Sequence, residues 1–155
     1  MKNAEIQPED IWSNSKLDNI DALVKKHKSE QSKEQKIRAE LLGIQYKLED
    51  YIENDDLKES QLLNILDFVK MYLKVLDITK KDLANYFNMK DSNLHKYLTG
   101  ERKLNPEVVL KISSFSNTKP EYWYRIQIKN ELAKLKKEKI EDYEKYDYKR
   151  MLALR

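Results

Sequence analysis

The stretch Thr79–Lys103, "TKKDLANYFNMKDSNLHKYLTGERK", decides the fold. Leu83, Ala84 and Phe87 share one helical face, and beyond "NMKD" so do Leu94, Tyr97 and Leu98. Two narrow apolar stripes predict two short helices buried against a common core. Ala84 is small enough for a second helix to cross closely. Asn88, in the connecting turn, tolerates the positive φ that reverses a chain. With Leu94, Tyr97 and Leu98 turned inward, the second helix offers Ser92, Asn93, His95 and Lys96 on its other faces. Such a helix suits the major groove of DNA, where the first two turns meet base edges and the positive dipole end meets phosphate.

The charges around it fit that use. Thr79–Leu104 carries 6 Lys/Arg against 3 Asp/Glu. Lys80, Lys81 and Lys90 precede the reading helix and Arg102 and Lys103 follow it, which is where phosphates would lie. Thr79, at the start of the first helix, is counted with the DNA-facing residues.

Outward from this unit the pattern stays helical. Glu59–Asp77 is apolar around more than half its circumference, so other helices must bury it. Downstream, Asn105 before Pro106 and Thr118 before Pro120 announce two more starts. Five helices are expected, at roughly 59–77, 80–87, 91–98, 106–115 and 120–135, with starts signalled by a Thr79/Asp82 capping box and by Asp91 as a cap. They make one domain, 59–135. Before it, residues 1–14 form an arm with Pro8, Ile11 and Trp12, and 15–58 read as an extension of two amphipathic helices. The first opens with Ser15 and Asp18, carries Leu17, Ile20 and Val24, and ends near Lys28, broken by "SEQS". The second starts from Ser32 and Gln35 and carries a heptad seam of Ile37, Leu41, Ile44, Leu48 and Tyr51. That seam is the expected partner-binding surface, set against the plainer reading of a helix laid on its own domain and against a second copy covering it. Residues 136–155 are a charged tail.

Composition agrees with an all-α chain: 155 residues with only 2 Gly and 3 Pro, 37% of them charged. There is no cysteine, hence no disulfide or thiolate zinc site. His27 and His95 stand apart from any ligand cluster, so no metal is expected. No nucleophile elbow, Gly-rich phosphate loop or zinc-helix motif occurs, so neither catalysis, nor a cofactor, nor a small-molecule substrate is expected. The acidic start lacks a secretory pattern and no run approaches the ~20 apolar residues of a membrane helix, so a cytoplasmic protein off the membrane is expected. Net charge is +3, but residues 1–78 carry 12 Lys/Arg against 16 Asp/Glu and residues 79–155 carry 18 against 11. Halves of opposite sign suit two partners of opposite charge.

Several motifs carry a family resemblance. Thr79–Lys103, with "DLA" at Asp82–Ala84, Leu94, and Gly100 to Arg102 after the second helix, resembles the helix-turn-helix of the Cro/C1-type (Xre) repressors. Asn88 stands where that turn usually has Gly. Leu104–Gln127 is similar to the HigA-type antitoxins, through Pro106 with Glu107, Leu110 to Ile112, and Trp123 followed by Gln127. The resemblance spans about residues 60–133 and leaves 1–59 outside. It implies a five-helix Cro/C1-type (lambda-repressor-like) domain and a homodimeric repressor that binds a palindromic operator in double-stranded DNA. It also implies that the chain autoregulates its operon and neutralises a small basic ribonuclease toxin. A stand-alone or phage-like regulator without a toxin, and a helical protein-interaction module, are the alternatives. Trp123 is expected to plug the core, and Gln127 to cap or bridge nearby backbone. A chain beginning near Asp56 is expected to fold and bind DNA but lose its protein partner.

Overall fold

The computed structural model describes residues 14–155, with side chains from Lys16 onward except those of residues 137–141. The arm residues Ile11 and Trp12 and the Ser15 cap lie outside the described side chains. Among the described residues every regular element is helical. The chain runs through α1 (Asn14–Glu53), a 3-10 turn (Glu59–Gln61), α2 (Ile65–Leu76), α3 (Lys80–Tyr86), α4 (Asp91–Thr99), α5 (Pro106–Ser116) and α6 (Pro120–Tyr143). A second 3-10 turn (Glu144–Tyr146) and α7 (Tyr148–Ala153) complete it. Two compact units divide the chain, Met1–Glu40 and Leu41–Arg155, and α1 crosses the boundary.

Up to Glu40, every described side chain is exposed except the half-buried Ile37. The two helices expected over 15–58 are one. "SEQS" contains neither Pro nor Gly, and polar residues of that kind lower helix propensity by only ~0.5 kcal/mol each, too little to end a helix. The break comes instead after Glu53.

In the second unit, α2 begins later than expected. Asn64 caps it reciprocally with Asp67: the Asn64 Oδ1 accepts from Asp67 N at 2.9 Å, and Asp67 Oδ2 accepts from Asn64 N at 2.9 Å. The Thr79/Asp82 capping box opens α3, and Asn105 caps α5 by accepting from Val108 N at 3.0 Å. Asp91 is the first residue of α4 rather than its cap. Lys119, not Thr118, stands at the cap position of α6. The helices end on left-handed residues: Asp77, Asn117 and Gly100 close α2, α5 and α4, and Asn88 turns the chain after α3. With so few glycines, Asp and Asn take most of the positive-φ positions.

The core gathers Phe68, Val69, Leu73, Leu83, Ala84, Leu94, Leu98, Val109, Ile112, Trp123 and Ile126. Trp123 is fully buried, and its Nε1 donates to Thr118 Oγ1 at 3.0 Å. Gln127 Oε1 accepts from the buried Leu104 N–H at 2.7 Å, so Gln127 ties the segment after α4 to α6.

The seam of α1 belongs to this core. Ile44, Leu48 and Tyr51 are buried with Ile52, and Leu41 packs half-buried against them. These residues are covered by their own chain, so the expected partner-binding face does not exist from Ile44 onward. The physical reason is a set of side chains on α6. Tyr51 Oη accepts from Leu63 N at 3.0 Å and donates to Asn130 Oδ1 at 2.6 Å, while Asn130 Nδ2 donates to Leu63 O at 2.7 Å. Tyr122 Oη donates to Glu49 at 3.0 Å and Arg125 pairs with Glu53 at 3.2 Å. Lys129 caps the end of α1 by donating to the carbonyls of Ile52 and Asn54.

Candidate nucleic-acid interface

α3 and α4 pack on each other through Leu83, Ala84, Leu94 and Leu98, all buried. The second stripe expected from the sequence also includes Tyr97, which is half-buried. This leaves the polar residues of α4 at or near the surface. Ser92 is exposed, whereas Asn93, His95 and Lys96 are half-buried.

His95 is not turned wholly outward. Its Nδ1 lies 2.9 Å from Lys80 Nζ, and Lys80 also lies 3.7 Å from Asp91. The three side chains therefore join the start of α3 to α4. An ammonium shared in this way is held between the two helices rather than free to reach. Nothing local in the sequence announces the pair, because its members are fifteen residues apart and on different helices. Thr79 is likewise committed: its hydroxyl donates to Asp82 Oδ2 at 2.6 Å and accepts from Asp82 N at 3.1 Å. Those bonds from Thr79 hold the Asp82 carboxyl below the usual carboxylate range.

At the other end of α4 a second constellation forms. Arg102 N donates to Lys96 O at 2.9 Å, closing the helix after Gly100. The Arg102 guanidinium sits 5.3 Å from the centre of the Tyr97 ring, and Asn105 Nδ2 donates to Tyr97 Oη at 3.2 Å. Arg102 thus lies over an aromatic face that is itself fixed. The sequence marks Tyr97 as a core residue and Asn105 as a cap. The signal for their second role is an aromatic residue and an Arg on either side of a left-handed Gly. Lys81, Lys90 and Lys103 are exposed.

Chemically, the face can bind anions: ammonium and guanidinium groups lie at both ends of α4, with hydroxyl and amide groups on its first turn. Among the described residues no group of three His, Asp or Glu is placed to hold a metal, and no helix is long and apolar enough to cross a membrane. Comparison of the chain with protein-family models, with curated proteins and with solved structures finds no match.

Proposed function

We propose that this chain is a sequence-specific, DNA-binding repressor of the antitoxin type, acting in the cytoplasm. In this reading the five helices of residues 59–135, with the end of α1 packed into their core, form a Cro/C1-type domain, and α4 enters the major groove of a palindromic operator as part of a homodimer. The observation that carries the reading is α4 itself: Leu94 and Leu98 are buried, Ser92 is exposed, Lys96 lies along it, and Lys80, Lys90, Arg102 and Lys103 stand about its two ends. Ser92, Asn93 and Lys96 read bases, and Lys90, Arg102 and Lys103 hold phosphates. Lys80 and His95 brace α4 and add charge. The family resemblance alone supports the small basic ribonuclease toxin as partner and the autoregulated operon. The burial of Ile44, Leu48 and Tyr51 counts against the seam as the toxin's docking face and against the pure interaction module.

Selection of bound duplexes from a random pool tests the proposal. A palindromic site should be enriched, and Asn93→Ala or Lys96→Ala should lose ~1–3 kcal/mol of discrimination at single positions. Arg102→Ala or Lys103→Ala should weaken all sequences alike and reduce the salt slope by about 1. A pool that emerges unselected, with binding insensitive to salt, sinks the proposal.

A further inference from the structure

We infer that the groove between α2, α3 and α5 receives the C-terminal helix α7 of a second copy of this chain. The inference builds on the proposed homodimer and locates its contact. The groove has a volume of about 960 Å³ and is lined by Leu76, Ile78, Tyr86, Phe87, Leu110 and Phe115. Tyr86 is 77% exposed and Leu110 56% exposed, so both present apolar surface to solvent in the groove. No residue of α4 lines the groove, so an occupant leaves the reading helix open.

α7 is the matching surface. Tyr148, Met151, Leu152 and Leu154 are all exposed, Leu154 at 90%, and in its own chain α7 packs on the 3-10 turn Glu144–Tyr146. Tyr148, Met151 and Leu152 fall on one face at helical spacing. A cluster of large apolar side chains of this kind marks an interaction site rather than a solvated end. The charges match as well. From its cap Asp147 to Arg155 the segment carries Lys149, Arg150 and Arg155 against the one acid of the cap. The groove carries Asp82, Glu107 and Lys111; Lys111 pairs with Glu107 at 3.3 Å and donates to Phe87 O at 2.7 Å, so the negative charge that remains rests with Asp82. An open apolar groove of net negative charge and an exposed basic apolar helix can meet between two chains. Reciprocal exchange about a two-fold axis covers both pairs at once and closes the assembly.

The chain has no cysteine, so engineered pairs are clean reporters. A Leu110→Cys chain mixed with a Leu152→Cys chain under mild oxidation should give a disulfide-linked heterodimer, because the bond forms only when the two β-carbons lie within ~4.5 Å. Full-length Met151→Asp/Leu152→Asp should sediment as a monomer while melting as the wild type does. A dimer that persists in that variant overturns the inference but leaves the homodimer standing; a wild-type monomer overturns both. If a chain bearing both cysteines closes on itself as a monomer, the helix docks in its own chain and the second copy is refuted.

Discussion

Exchange of Gln127 for Met tests how the segment after α4 is held. Gln127 Oε1 accepts the Leu104 N–H at 2.7 Å, and Leu104 is buried. Met has similar length and volume, so it leaves no cavity worth counting. What it removes is the acceptor, and a buried N–H left without a partner costs about 1–3 kcal/mol. Against the 5–15 kcal/mol typical of a whole domain, that loss is large. At roughly 4 °C per kcal/mol for a unit of this size, the midpoint should fall by about 4–12 °C. Urea unfolding followed by near-UV circular dichroism should show a lower midpoint with an unchanged slope. Hydrogen exchange at the Leu104 amide should quicken, and Gln127→Glu, which keeps an acceptor, should lose less. A Gln127→Met protein within about 0.5 kcal/mol of wild type, with Leu104 exchange unaltered, would refute the tether.

Deleting residues 1–55 removes Ile44, Leu48, Tyr51 and Ile52 from the core; the three aliphatic side chains alone contribute roughly 5–9 kcal/mol, so that chain should fail to show a cooperative melt, whereas one beginning at Lys36 should retain it. Tyr72 is buried, its hydroxyl finds no partner among the described residues, and burial first, then the charge of Glu49, pushes its pKa up to about 12. Tyr72→Phe should therefore be neutral or stabilising at pH 7. Because the neutral phenol is favoured in the folded state, the wild type keeps that contribution below pH ~10 and loses it as pH rises towards about 12, so the Phe variant should gain on it in an alkaline titration of stability. Tyr97→Leu should erase the ring-current shift of the Arg102 side chain in NMR spectra and, in DNA titrations, weaken binding to all sequences as Arg102→Ala does, with the double variant no worse than either single one.

What was legible in the sequence was local. The Thr79/Asp82 and Asn105 caps, the left-handed Asn88, the inward Leu94 and Leu98, and the burial of Trp123 all follow from spacings of three or four residues or from one residue's conformational preference. The misses were of two kinds. Where two signals compete, as at "SEQS" against an uninterrupted helix or at Glu59 against the Asn64 cap, the structure obeys the stronger, and local spacing does not rank them. Where partners were remote, as with Tyr51 and Asn130, Glu49 and Tyr122, or Lys80 and His95, no periodicity links the residues. The heptad seam could be seen, but not which surface covers it.

The solvated length of α1 has a consequence for any spectroscopic account of this protein. From Lys16 to Glu40 no described side chain is buried, so helicity there depends mainly on backbone hydrogen bonds and local propensity. Such a segment follows helix–coil statistics and unwinds gradually on warming. Ellipticity at 222 nm should therefore slope from the first degree of heating, while signals from the Leu41–Arg155 core stay level until that unit melts as a whole, and a van't Hoff enthalpy taken from the helical signal will fall below the calorimetric one.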